Sequence, residues 1–204
     1  MGKMIKNALV LMVITLVAGL GLGVVYEITK APIASAQEKA KQEAYKAVIA
    51  DAVEFTAYAD FDAKEAAAVL SDAGLASDVI EEVVEAKDNS GETIGYVITV
   101  ISKEGYGGDI KISTGIDAEG TVKGVSILSI SETAGLGMKA TESTFTDQFK
   151  DKQVEQFEYT KSGASEDNQI DALSGATITT NAFTNDVNAA LAYYTNVLAE
   201  GGSN

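Results

Sequence analysis

Four consecutive residues, Ser174-Gly175-Ala176-Thr177, with Asp171 three positions before Ser174, join an anion-friendly backbone to a hydroxyl that can be esterified. Behind them Phe183, Val187, Ala190, Leu191, Tyr194 and Leu198 recur at three- and four-residue steps, which predicts a helix ended by Gly201-Gly202. The first turn of a helix presents unpaired N–H groups and the positive end of its dipole, so a phosphate sits well there. Gly175 and Ala176 would admit it to the backbone, Ser174 would cap the helix or donate to a phosphate oxygen, and the Thr177 hydroxyl would accept the phosphoryl group. Asp171 reads as a group that orients that hydroxyl or holds the loop, and equally as a plain turn or capping residue. Thr179 and Thr180 read as first-turn hydrogen-bonding hydroxyls.

Composition narrows the chemistry. The 204 residues include no cysteine and no histidine, which removes thiolate nucleophiles, zinc fingers, iron–sulfur ligation, haem attachment and Ser-His-Asp catalysis. Any redox chemistry must come from a bound cofactor. Fifteen basic residues against 30 acidic ones exclude a phosphate-backbone partner, so no nucleic acid is expected.

The elements that would position the motif begin with a membrane anchor. Ala8 to Tyr26 is an uncharged run of 19 residues, long enough at about 1.5 Å per residue to cross the ~30 Å hydrocarbon core. Lys3 and Lys6 precede it and the first acidic residue, Glu27, follows it, so the positive-inside rule puts the N-terminus in the cytoplasm. The expected division is a cytoplasmic tail over 1–7, a transmembrane helix over 8–28, a juxtamembrane helix over 29–51 and an extracytoplasmic domain over 52–204. A cleavable signal peptide is the competing reading, with Ala34-Ser35-Ala36 as a cleavage site, and it exports the same domain. From Glu27 onward the chain holds all 30 acidic residues and all but two of the 15 basic ones, an acidic surface that suits solubility.

In the exported part a short helix is predicted over Asp62 to Leu75, and strands over Val79–Glu85, Thr93–Ser102, Asp109–Gly115 and Thr121–Ser129. Turn clusters at 88–91, 105–108 and 117–120 make these an antiparallel meander. Half-alternating apolar residues suit a sheet with one face on helices, an α+β architecture. An irregular loop (Ser131 to Ala140), a short helix near Glu142 to Phe149, a strand near Val154 to Tyr159 and a polar loop through Asn168 lead to the terminal helix.

One N-terminal membrane helix, Ile28-Thr29-Lys30-Ala31-Pro32-Ile33, Glu132-Thr133-Ala134-Gly135-Leu136-Gly137, and Asp171-Ala172-Leu173-Ser174-Gly175-Ala176-Thr177 together resemble the G subunit of the Rnf electron-transport complex. More distantly the chain is similar to the C subunit of the sodium-pumping NADH:quinone reductase. The resemblance implies an FMN-binding domain with FMN joined by a phosphoester to Thr177, installed by a flavin transferase that takes it from FAD. It implies electron relay among the other membrane and redox subunits of an Rnf-type ferredoxin:NAD⁺ oxidoreductase coupled to sodium or proton translocation. Glu132 and Thr133 are then expected at the ribityl chain or ring edge, with Leu136 and Met138 against the isoalloxazine and Gly137 exposing its peptide groups. Lys139 would neutralise the phosphate or the reduced ring, and Tyr106 would stack on the flavin or simply fill a turn. Where the family usually has proline in the upstream loop, this chain has Ala134. A quinone-reductase-type or stand-alone exported carrier is the nearest alternative, and an acidic exported domain without flavin is the alternative of another class.

Overall fold

An uninterrupted helix, α1 (Gly2–Val48), opens the chain in a computed structural model that describes residues 2–199. From Leu9 to Tyr26 all its large apolar side chains are exposed, and it is long and apolar enough to cross a membrane. The expected pair of helices over 8–28 and 29–51 is thus a single one with Pro32 inside it. Proline forfeits the bond to the Ile28 carbonyl, a cost of about 3 kcal/mol. Strong helix formers after Pro32, rich in Ala, Lys, Glu and Gln, carry the helix through.

By contact density the chain divides at Lys41/Gln42, and the second unit, Gln42–Asn204, has its own core. Its centre is a five-stranded antiparallel sheet in sequence order: β1 (Glu54–Ala57), β2 (Asp78–Lys87), β3 (Thr93–Ser102), β4 (Ile110–Asp117) and β5 (Val122–Ser129). The expected meander is present, extended by β1, an edge strand of four residues too short to show a period. Helix α2 (Ala63–Asp72) starts where Asp62 caps it, its carboxylate accepting the N–H groups of Lys64 and Glu65 at 2.7 and 3.4 Å.

Apolar side chains cover both faces of this sheet, not one. Ile80, Ile98, Val100, Ile110 and Ile112 belong to the main core, while Val84, Ala86 and Val97 pack with Tyr45 and Val48 from the end of α1 and with Ile49 just after it. Burial on both faces explains why β3 reads as a nearly continuous apolar run.

After β5 the chain forms a 3₁₀ turn (Gly137–Thr141), α3 (Ser143–Thr146) and another 3₁₀ turn (Asp147–Phe149), in place of one helix over 142–149. The strand expected over 154–159 shrinks to β6 (Glu158–Thr160), which pairs in parallel with β7 (Gln169–Asp171). Asn188 is the reason: its side chain accepts the N–H of Phe157 at 2.8 Å and donates to the Phe157 carbonyl at 3.0 Å. Phe157 is therefore held to α4 (Thr177–Tyr193) instead of to a strand. That last helix runs into a wider turn, Tyr194–Leu198, and the Gly201-Gly202 stop expected for it lies outside the described residues. Phe183 of α4 sits 5.2 Å from Phe145 and 5.6 Å from Phe149, ring centre to ring centre, and fixes α4 over the segment before it.

Candidate functional site

Ser174 and Gly175 are the central residues of a tight turn, closed by the Ala176 N–H donating to the Leu173 carbonyl at 3.0 Å. Gly175 has φ +75°, as the third position of a type II turn demands, and an added Cβ would lie 3.2 Å from Leu136 Cδ2. Ala176 is the N-cap of α4, and no side chain caps the helix. Of the two roles expected for Ser174, capping is not the one seen, because the turn carries Ser174 into solvent. Alanine is a poor N-cap because it offers no oxygen to the first-turn N–H groups, which leaves those donors for an anion. Thr180 steadies this start, its hydroxyl accepting the Leu173 N–H at 3.1 Å and donating to the Ala176 carbonyl at 2.9 Å. Thr177 is the first helical residue, half-buried.

Across from this turn lies a second one of the same kind. The Thr133 carbonyl accepts N–H groups from Leu136 and Met138, both at 3.1 Å, with Ala134 second and Gly135, φ +76°, third in the turn. Glu132, just before it, accepts the Gly107 N–H at 3.1 Å and the Thr179 hydroxyl at 3.0 Å, one oxygen for each. One carboxylate thereby joins the β3–β4 loop, the 131–137 loop and the first turn of α4. Gly137 is required at this junction, since a Cβ there would come within 2.6 Å of Thr179 Oγ1 and 2.7 Å of Glu132 Oε2.

These loops enclose a cavity of about 510 Å³ lined by Glu132, Thr133, Leu136, Gly137, Tyr106 and residues 175–179. That volume is ordinary for a small-molecule site. Three exposed apolar side chains, Tyr106, Leu136 and Ile178, stand at 71, 43 and 53% exposure around it. Side chains of that size and exposure, grouped at a cavity, mark a place where a flat apolar ligand would be covered. On the other side of the Ser174-Gly175 turn a smaller cavity of about 260 Å³ is lined by Lys161, Ala172, Leu173, Ser174, Gly175 and Thr177. Thr177 borders both.

Of the residues picked out in the sequence, Glu132, Thr133, Leu136, Gly137, Gly175, Ala176, Thr177 and Tyr106 meet at the larger cavity. Ser174 lines the smaller one. Met138 and Lys139 lie in the following 3₁₀ turn and line neither. Asp171 holds the loop: its carboxylate accepts the Ala164 N–H at 2.7 Å, and its own N–H donates to Gln148 Oε1 at 2.6 Å. Ile178 and Lys161 were missed, Ile178 because it points away from the helix's apolar stripe and Lys161 because only the β6–β7 pairing brings its loop alongside Ser174.

Residues 105–192 match the FMN-binding domain family, and residues 1–48 match the RnfG N-terminal region. The solved structure of Shewanella oneidensis NqrC shares the fold, with a TM-score of 0.51 at 21% identity, over 60% of this chain and 61% of that one. The G subunit of the ion-translocating oxidoreductase complex of Methanosarcina acetivorans is 31% identical over 92% of this chain and 93% of its own length. Its counterpart in the Na(+)-translocating ferredoxin:NAD(+) oxidoreductase complex of Acetobacterium woodii is 32% identical, over 94% of this chain and 92% of its own. With its N-terminal helix, its cavity-bearing domain and these full-length relatives, the chain belongs to the G-subunit family of ion-translocating oxidoreductase complexes.

Proposed function

We propose that this chain is a membrane-anchored flavoprotein subunit whose FMN is esterified to Thr177 and relays electrons between other redox subunits of an Rnf-type ferredoxin:NAD⁺ oxidoreductase coupled to ion translocation. The observation that carries the reading is the position of Thr177: first residue of an uncapped helix, on the border of a cavity rimmed by Tyr106, Leu136 and Ile178. In maturation the Thr177 hydroxyl oxygen attacks the FMN phosphorus of FAD, the pyrophosphate bond breaks, AMP departs and the hydroxyl proton is released. A flavin transferase catalyses the step, as the family resemblance implies.

The residues around Thr177 fit the product. First-turn N–H groups of α4 would be donors to the phosphodiester, and Lys161 would supply a positive charge on the side of the smaller cavity. Tyr106, Leu136 and Ile178 would shield the ring system, and the Glu132 carboxylate keeps the three walls of the cavity together. FMN, when bound, supplies one- and two-electron redox chemistry that no side chain of this cysteine- and histidine-free chain provides. Lys3 and Lys6 ahead of the apolar helix support a cytoplasmic N-terminus, with the flavin domain on the outer side of the membrane.

Co-expression with a flavin transferase tests the site. After denaturing electrophoresis the band should fluoresce under ultraviolet light, and the intact mass should rise by FMN less water. Thr177→Ala should abolish both signals, while Thr179→Ala and Thr180→Ala, checked for folding by circular dichroism, should keep them. A dark band of unmodified mass for the wild-type chain would refute covalent attachment.

A further inference from the structure

Asp186 lies on α4, fully buried, and neither of its carboxyl oxygens has a hydrogen-bond partner among the described residues. Asp78, at the start of β2, is 4% exposed, and the Ser102 hydroxyl opposite it is the polar side chain that acts on its carboxyl as a hydrogen-bond partner. α4 packs on β2, β3 and β4, and the charge of Asp78 acts on Asp186 across that interface.

The groups around the pair are acidic or neutral. Glu104 acts on Asp78, and β3 contributes the Ser102 hydroxyl opposite Asp78 in the register. β4 contributes the buried Thr114 hydroxyl to the sheet, and Glu65 of α2 acts farther along α4, on Tyr193. Among the described residues, no lysine is one of the groups whose charge acts on either carboxyl. The lysines that flank this end of the sheet are engaged elsewhere, Lys103 with Asp109 at 3.0 Å and Lys111 with Glu81 at 2.6 Å. An unpaired carboxylate is not tolerated in such a place, whereas a protonated carboxyl carries no charge to desolvate.

From the two unpartnered oxygens of Asp186, the depth of the two side chains and the lack of a counter-cation among the described residues, we infer that Asp78 and Asp186 form a proton-holding site, and that docking of α4 on the sheet depends on protons held there. A core position that packing alone would fill with leucine or asparagine carries an acid here, a departure from core-packing rules of the sort that accompanies function. The proposal stands independently of the flavin, although the helix concerned is the one that begins at Thr177.

The electrostatics agree in direction. Burial, then Asp186's neighbour Asp78, push the Asp186 carboxyl well above the usual range, and burial pushes Asp78 up to about 6, tempered by Ser102 and reinforced by Glu104. Both values are higher folded than unfolded, so the stabilisation is complete below the ordinary carboxylate value of 3.8 and is lost as pH rises through the folded values. For Asp78 that window is about pH 4 to 6, and for Asp186 it extends higher.

The test uses the full chain in detergent, with melting followed between about pH 5 and pH 8.5. Wild-type protein should lose several degrees of Tm as pH rises, and Asp186→Asn, which removes the ionisation but not the volume, should flatten that slope and gain on wild type as pH increases. A Tm offset that is the same at every pH, or an unchanged slope, overturns the proposal. Infrared spectroscopy gives a second readout that needs no folded variant: wild-type protein at neutral pH should show a protonated carboxyl stretch that shifts in D₂O. Its absence overturns the proposal as well.

Discussion

Glu132 is the residue on which the cavity's geometry converges. Its two oxygens serve two different walls, Gly107 through a backbone N–H and Thr179 through a hydroxyl. Charge-assisted hydrogen bonds of this kind contribute about 1.5–3 kcal/mol each, less for a partly exposed group. Glu132→Ala should therefore destabilise the protein by about 2 kcal/mol, a Tm loss of roughly 4–8 °C for a chain of this size, and lower flavin incorporation at Thr177. Thr179→Val, which removes one of the two bonds, should cost about half as much. Calorimetry of the three proteins checks the order, and an unchanged Tm for Glu132→Ala would show that the loops hold together without it.

At the scale of elements, two turns of one kind face each other, Thr133 to Leu136 and Leu173 to Ala176, each with a positive-φ glycine third. The second position of such a turn favours proline, and the first of the two has Ala134 there. Ala134→Pro should stabilise the protein by about 0.4–1 kcal/mol by restricting the unfolded chain, provided the Ala134 N–H has no partner in the native turn. Thermal melts would show the gain, and a loss would mean that this turn differs from type II. α4 is the other decisive element. Thr179, Asp186 and Tyr193 follow at intervals of seven along it and are all buried, so a polar stripe runs inside a helix whose outward signature is apolar. Thr179 is satisfied by Glu132, while the Tyr193 hydroxyl is unpartnered among the described residues and burial raises its pKa to about 12.

On the scale of the whole molecule, the folded unit starts earlier in the chain than its first strand. Tyr45, Val48 and Ile49 are buried against Val84, Ala86 and Val97, and they belong to the end of α1 and the residue after it. A protein beginning at Gln42 should retain this second cluster and melt like the full chain. One beginning at Ala52 loses three core side chains worth roughly 1.5–3 kcal/mol each and should melt far lower or fail to fold. Equal stability of the two would mean that these residues cover the sheet without supporting it.

Much of this was open to a reading of the residues alone. The apolar run from Ala8 to Tyr26, the antiparallel meander and the Ser-Gly-Ala-Thr helix start are local patterns, set by hydrophobic period, turn chemistry and backbone sterics within a few residues. Both sides of the cavity were nameable for the same reason, since Glu132 to Gly137 and Ser174 to Thr177 are contiguous. Tertiary structure decided what depends on residues far apart in the chain. Asn188 withdraws Phe157 from a strand 31 positions away, Asp171 finds in Gln148, 23 positions away, a partner for the loop it was expected to hold, and Lys161 reaches the Thr177 turn by a parallel pairing of two three-residue strands. Asp186 shows the limit most clearly: as a letter it is one more of 30 acidic residues, and only the packing of α4 on the sheet removes it from water and leaves it beside Asp78 without a cation among the described residues.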